Sequence, residues 1–332
     1  MKKKVVIIST GGTIASSPGS QGRNVSGALA GEELVNKIEL KSDIDIEVKS
    51  VFQKPSNAIS LHDLCTLRQE CQQLINQGDV SGIVITHGTD TLEDTAYFLE
   101  STLNTLNTVV VVTGSQRVPH AMGTDAYLNL KNAILTAGDD KTKGMGVLVV
   151  FNEAIYSANF VRKTSSFQVN GFDAPGTGWL GLIDNESISV FQKPLRQIQL
   201  DAADPLPAVD ILTTYLGARS FLLDAAVDAG AQGIVLEALG RGHIPPDWVP
   251  AVKRAVAAGV VVAVCTSSLH GPVHQSYEFP GSLFDLEAAG AIGVSGLSAR
   301  KTRMRLSLLL GQKTTDRKSI IQAFDWTAAR QK

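Results

Sequence analysis

The sequence predicts an α/β protein: a larger N-terminal domain on a doubly wound, mostly parallel sheet, then a smaller C-terminal α/β domain. Three observations carry that expectation. Short runs of Val and Ile recur along the chain, they are apolar nearly throughout rather than alternating, and stretches of helical periodicity separate them. A strand with one wet face alternates polar and apolar residues. A strand covered on both faces does not, and helical crossovers are what cover both faces of a parallel sheet.

Taken in order, the first run is Val5 to Ile8 in MKKKVVIISTGG. Lysines before an apolar stretch imitate a secretory signal, but this stretch is far shorter than the roughly 7–15 residues such a segment needs, so it reads as a strand. Next, Leu64, Leu67, Cys71, Leu74 and Ile75 share one face of a helix. Gly82 to Ile85 is the second strand. Asp90 and Glu93 then form D-x-x-E, a capping signature, ahead of a helix whose apolar face is Leu92, Ala96, Leu99 and Leu103. Further strands are expected at Val109 to Thr113, Gly146 to Phe151, Gly233 to Leu236 and Val260 to Cys265. The stretch KPLRQIQLDAADPLP loses the strand signal and places two prolines near its end. The expected division is therefore a catalytic domain over 1–192, a linker over 193–207 and a second domain over 208–332. No internal repeat or low-complexity tract interrupts it.

With 332 residues, 44% of them hydrophobic and 19% charged, the chain can bury two ordinary cores. A net charge of −2 supplies no basic field for nucleic acid or an anionic membrane. No apolar run approaches the roughly 18 residues of a spanning helix. The three cysteines, Cys65, Cys71 and Cys265, lack metal-ligand spacing and form an odd set, which favours a reducing compartment such as the cytoplasm over a disulfide framework.

In an open parallel sheet, ligands sit beyond the carboxyl ends of the strands, so the residues just after each apolar run matter most. After the first come Thr10, Gly11, Gly12 and Thr13; after the second come His87, Gly88, Thr89, Asp90 and Thr91. Two Thr/Gly turns at one sheet edge would face each other across a cleft. Gly11, Gly12 and Gly88 would let backbone N–H groups approach a ligand where a Cβ would intrude. Read blandly, the same residues are turn formers and helix caps. Phosphate-binding glycine signatures, the G-x-S-x-G hydrolase elbow and H-E-x-x-H are all absent, and His270 and His274 are separated by Gly271 and Pro272, which cannot hold a helical metal pair. No metal or other cofactor is expected. What remains is a threonine nucleophile, which needs a neighbouring base such as a lysine of lowered pKa.

TGGTI at Thr10 to Ile14 and HGTDT at His87 to Thr91 resemble the two signature motifs of the bacterial-type L-asparaginase/glutaminase family, amidohydrolases that release ammonia from a side-chain amide. TAYFLE, VVVTGSQR, DAYLNLKNA, GVLVVFNEAI and KTSSFQ are similar to that family too, in the same order. The resemblance implies that Thr13 is the nucleophile and that Thr89, Asp90 and Lys163 form a second catalytic set. It implies that Ser56 binds the substrate α-carboxylate, that Asn57 beside it takes the place of a polar ligand of the amino group, and that Ser115 stands where a backbone carbonyl faces the leaving amide. Gly12 and Gly88 complete the substrate-binding set. Backbone N–H groups near Gly12 and Thr89 would hold the oxyanion. His87 takes a structural role, as a lone His in a tight turn usually does.

The sequence also departs from that family. The lid segment after TGGTI has no tyrosine, and the first aromatic residue of the chain is Phe52. In LGRGHIPP, His243 stands where the family places an asparagine that reaches a neighbouring subunit, while Tyr277 and Glu278 in HQSYEFPG are the candidates for a later intersubunit position. The resemblance implies a homo-oligomer, a dimer or a dimer of dimers (homotetramer). The expected activity is hydrolysis of L-asparagine with a side activity on L-glutamine. Alternatives are an ammonia-generating module of an amidotransferase, against which the early first strand leaves no room for an N-terminal tRNA-facing domain, and a non-catalytic amino-acid sensor.

Overall fold

Val5 to Gly11 are buried in β1 (Lys3–Gly11), the first strand of the computed structural model, which describes residues 2–19, 22–29, 31–40, 43–313 and 316–325. The chain divides into two units, Met1–Gln199 and Leu200–Lys332. In the first, β2 (Ser17–Pro18) and β3 (Asn24–Val25) pair antiparallel, and α1 (Gly31–Val35) leads to β4 (Ile44–Lys54). α2 (Leu61–Gln77) follows. It starts at a reciprocal capping box, in which the Ser60 hydroxyl accepts from Asp63 N while Ser60 N donates to the Asp63 carboxylate, and it stops at Gly78 in the left-handed conformation. Its buried face is Leu64, Leu67, Cys71 and Leu74.

Three fully buried strands, β5 (Gly82–Thr86), β6 (Val109–Thr113) and β7 (Val147–Phe151), are separated by α3 (Leu92–Thr102) and α4 (Ala126–Gly138). β8 (Ala154–Ser157) turns back on β7. The small ribbon of β9 (Arg162–Lys163) and β10 (Phe172–Asp173) comes next, then β11 (Gly181–Asp184) and β12 (Ser187–Val190). The main sheet runs β12-β11-β8-β7-β6-β5-β1-β4. It is parallel from β4 to β7 and antiparallel from β7 to β12. Counting only the parallel strands, the second-formed lies outside the first, so the order reverses between β1 and β5. That reversal opens a crevice at the carboxyl ends of those two strands.

Alternate residues face opposite sides of the sheet. Val5, Ile7, Val84, Val109 and Val111 join Leu130, Ala133 and Ile134 of α4 in one core, and Val6, Ile8, Ile83 and Ile85, fully buried, face the other way. Each such side chain withdrawn from water contributes roughly 1.5–3 kcal/mol before entropy is counted.

β4 is not among the strands expected from sequence, because IDIEVKSVFQK alternates: it is an edge strand with one solvated face. β11 and β12 are short antiparallel additions that alternate in the same way, whereas β8 is buried throughout but only four residues long. The second unit has the parallel sheet β13 (Val209–Thr213), β14 (Gly233–Ala238), β15 (Val261–Thr266) and β16 (Ile292–Gly293), in that spatial order. Its helices are α5 (Phe221–Asp228), α6 (Val249–Ala257), α7 (Leu283–Ala288), α8 (Ala299–Leu310) and α9 (Arg317–Phe324). Ile234, Leu236, Val262, Val264 and Trp248 form its core, and Trp248 Nε1 donates to Ala218 O at 2.9 Å, satisfying the one polar atom of that buried ring. Among the described residues no helix is long and apolar enough to cross a membrane. Cys65, Cys71 and Cys265 are all buried.

Candidate active site

The TGGTI and HGTDT turns touch through their glycines. A Cβ on Gly12, whose φ is 85°, would lie 2.4 Å from both Gly88 N and Gly88 Cα; one on Gly88 would lie 2.8 Å from Ser56 Cβ and Oγ. Gly11, at φ 103°, meets the Lys54 backbone in the same way, with its Cβ position 2.5 Å from Lys54 O. These glycines were expected to clear space for a ligand. In the folded chain Gly12 and Gly88 line the cavity, and all three glycines also clear space for one another or for the turns beside them, which brings three strand ends together at the crevice.

Around that contact lies a cavity of about 320 Å³, near the lower end of the ~300–1,000 Å³ typical of small-molecule sites. Gly12, Thr13, Ser56, Asn57, Gly88, Thr89, Asp90 and Lys163 all line it. A larger hollow of about 520 Å³ opens by Val80, Ser81 and Thr108, at the amino ends of β5 and β6, away from this chemistry. Thr13 starts a single 3₁₀ turn, Thr13–Ala15, and among the described residues its hydroxyl has no hydrogen-bond partner. Ser16 Oγ donates to Gly12 O at 2.9 Å and Thr10 Oγ1 to Thr86 O at 2.8 Å, pinning the turn from both ends.

Lys163 Nζ donates to Thr89 Oγ1 and to Asp90 Oδ1, each at 2.7 Å. The lysine side chain is 16% exposed and the Asp90 side chain 68%, so this ion pair stands at the cavity mouth with its carboxylate toward solvent. The ribbon that carries Lys163 is anchored by Phe172, which pairs with Lys163 in register and packs its ring 4.7 Å from that of Phe151. Glu93, buried, accepts Lys163 N at 2.6 Å. The D-x-x-E stretch is therefore not the cap the sequence suggested. The N-cap of α3 is Thr91, which makes no side-chain capping bond and instead donates its hydroxyl to Ser56 O at 2.8 Å.

His87 is fully buried. Its Nδ1 lies 2.8 Å from Gly88 O, which can only accept, so Nδ1 carries the proton and Nε2 accepts from the Thr95 hydroxyl at 2.9 Å. Burial pushes its pKa down to about 4, against a smaller upward pull from the Gly88 carbonyl. A neutral imidazole with both nitrogens occupied is a strut.

Ser115 is buried, donates its hydroxyl to Arg117 O at 2.7 Å and does not line the cavity. The next residue, Gln116, does line it, as do Asn24, Ser26 and Ser166. The rule that pointed to strand ends covers Gln116 as well. His243, Tyr277 and Glu278 belong to the second unit, where His243 stacks edge-on against Tyr277 at 5.5 Å and Phe279 at 4.9 Å. Tyr277 and Phe279 are both exposed, and burial together with the Arg241 charge holds the His243 imidazole below its usual range.

Residues 4–196 match the family model "Asparaginase, N-terminal" and residues 208–324 match "Glutaminase/Asparaginase C-terminal domain". The chain belongs to the asparaginase family. It is 44% identical to an L-asparaginase of Bacillus licheniformis, covering 93% of this chain and 96% of that one. A glutaminase-asparaginase of Pseudomonas fluorescens is 33% identical over 96% of this chain and 89% of its own. Among solved structures, a probable cytoplasmic L-asparaginase from Campylobacter jejuni superposes with a TM-score of 0.87 at 31% identity, covering 97% of this chain and 99% of that one. The asparaginase-family fold thus extends through both units, and the cavity lies in the part matched by the N-terminal model.

Proposed function

We propose that this protein is an L-asparaginase that converts L-asparagine and water to L-aspartate and ammonia, with L-glutamine as a secondary substrate. The observation that carries the reading is the Lys163 ammonium, held between Thr89 and Asp90 in the cavity that Thr13 also lines. Thr13 Oγ1 adds to the side-chain amide carbon while backbone N–H groups near Gly12 and Thr89 receive the oxyanion. The C–N bond breaks, the Thr13 proton leaves with the amine as ammonia, and an acyl ester remains on Thr13. Water adds to that ester, releasing aspartate and restoring the hydroxyl. Thr89 and Lys163 handle the proton in each half-reaction. Asp90 pairs with the substrate α-ammonium, Asn57 is a further polar ligand of that group, and Ser56 takes the α-carboxylate, so recognition requires a free amino acid.

The enzyme works as a homodimer or a dimer of dimers. The exposed Tyr277 and Phe279, packed against the half-buried His243, support this, because aromatic rings of that size left in water favour an interface. The cytoplasm is the proposed compartment, supported by an odd set of three cysteines without metal-ligand spacing.

Ammonia release by the purified protein on asparagine, glutamine and a panel of small amides tests the reading. Turnover with asparagine preferred is expected, and Thr13→Ala is expected to abolish it with the fold intact. Binding of asparagine without turnover would establish a sensor instead, and substantial turnover by Thr13→Ala would remove Thr13 as nucleophile.

A further inference from the structure

Two stretches singled out in the sequence, VVVTGSQR and DAYLNLKNA, have no part in the mechanism above, yet they form one device. The Asp125 carboxylate accepts the backbone N–H groups of Gln116 and Arg117, both at 2.9 Å. Asn129, one helical turn further along and fully buried, donates from Nδ2 to Asp125 Oδ2 and to Gly114 O, each at 3.0 Å. Its Oδ1 accepts Asn152 N at 2.9 Å. The turn after β6 is thus clamped along its backbone by two side chains of the α4 amino end, and charge-assisted bonds of this kind are the stronger sort.

From that turn, Gln116 reaches the cavity. Its Nε2 donates to Ser165 O at 3.1 Å, which leaves Oε1 to face Thr89, whose hydroxyl donates to it at 3.4 Å. The slot exists because residue 171 is glycine: a Cβ there would sit 1.9 Å from Gln116 Nε2. Thr89 Oγ1 also accepts from Lys163 Nζ. A hydroxyl has one proton and two lone pairs. With the proton on Gln116 and one lone pair on Lys163, a single lone pair of Thr89 is left for the cavity.

We propose that Gln116 is a positioning residue which, held by Asp125 and Asn129, fixes Thr89 as a hydrogen-bond acceptor toward the reacting hydroxyl or water. The proposal rests on the reading of Thr89 as part of the proton-handling set. Without the carboxamide oxygen the Thr89 hydroxyl is free to rotate and donate into the cavity, which reverses the polarity it presents there.

Gln116→Met and Gln116→Glu separate this role from packing. Methionine keeps the length and apolar bulk but cannot accept from Thr89; glutamate keeps the acceptor oxygen but adds charge and loses the donor to Ser165 O. Positioning predicts that Met lowers kcat about tenfold, with KM within about threefold and the melting temperature within about 2 °C, while Glu retains more kcat than Met. Wild-type kcat in Gln116→Met overturns the proposal. So does a kcat for Met equal to or above that of Glu, the ranking that packing predicts, and so does a melting temperature that falls by more than about 5 °C alongside kcat in Met. Absence of turnover in the unmodified enzyme on every amide overturns the asparaginase reading together with this one, whereas normal turnover with an indifferent Gln116→Met removes only the role of Gln116.

Discussion

Lowering the pH should destabilise the fold through His87, and the size of the effect follows from its burial. The imidazole titrates near 4 in the folded chain against 6.5 when free. Each pKa unit corresponds to about 1.4 kcal/mol, so the full effect is about 3 kcal/mol. Because the folded-state value is depressed, the stabilisation is complete above pH 6.5 and is lost as the pH falls toward 4: across that window the unfolded chain binds a proton that the folded chain refuses. At pH 4.5 the loss is about 2.5 kcal/mol. Carboxylates titrate in the same range, so the measurement is a comparison. Urea denaturation of the wild type and of His87→Gln at pH 7.5 and pH 4.5 should show the wild type losing about 2.5 kcal/mol more than the variant. Parallel losses in the two proteins would refute the argument. Turnover of His87→Gln at pH 7.5 should stay within about tenfold of wild type, since the ring is a strut; a collapse of 10³-fold or more, on the scale of lost general acid–base catalysis, would place it in the reaction.

Gly12→Ala puts a methyl group against the Gly88 backbone at a left-handed φ, and should cost roughly 2–4 kcal/mol with loss of turnover, read by melting temperature and ammonia release. Ser60→Ala removes half of the α2 capping box and should cost about 1 kcal/mol in urea denaturation. Asp90→Asn breaks an ion pair whose carboxylate faces solvent, so stability should change by less than about 1 kcal/mol. Its KM for asparagine should rise roughly 10–100-fold, while weak turnover of an analogue lacking the α-amino group stays unchanged. Equal loss on both substrates would deny Asp90 the ammonium.

Strands buried on both faces were readable as unbroken Val/Ile runs, and the site was readable as the residues just beyond two of them. β4 was not, because an edge strand alternates and its polar half looks like a loop. Asp90 and Glu93 fit a capping pattern by spacing alone; the fold sends one to Lys163 Nζ and the other to Lys163 N, seventy-odd positions away, and no local rule foresees a bond of that span. In the turn after β6 the sequence points to Ser115 and its backbone, whereas the side chain that lines the cavity is that of Gln116. The slot that receives the Gln116 side chain depends on Gly171, far along the chain. Contacts made within one turn are legible in sequence, and contacts between distant turns become legible only when the sheet has brought them together.

The meeting of Gly12 with Gly88 has a bearing on redesign. Where these two turns touch, the floor of the cavity is main chain, with no rotamers to repack and no side chain to trim. Any attempt to retune the pocket toward longer or bulkier amides must therefore work from its walls. Asn24, Ser26 and Ser166 are the replaceable surfaces there, since none of them takes part in the glycine contact or in the bonds that hold Thr89. A library confined to those three positions reshapes the walls without touching the contact, whereas variation at the glycines mainly samples ways of losing the pocket.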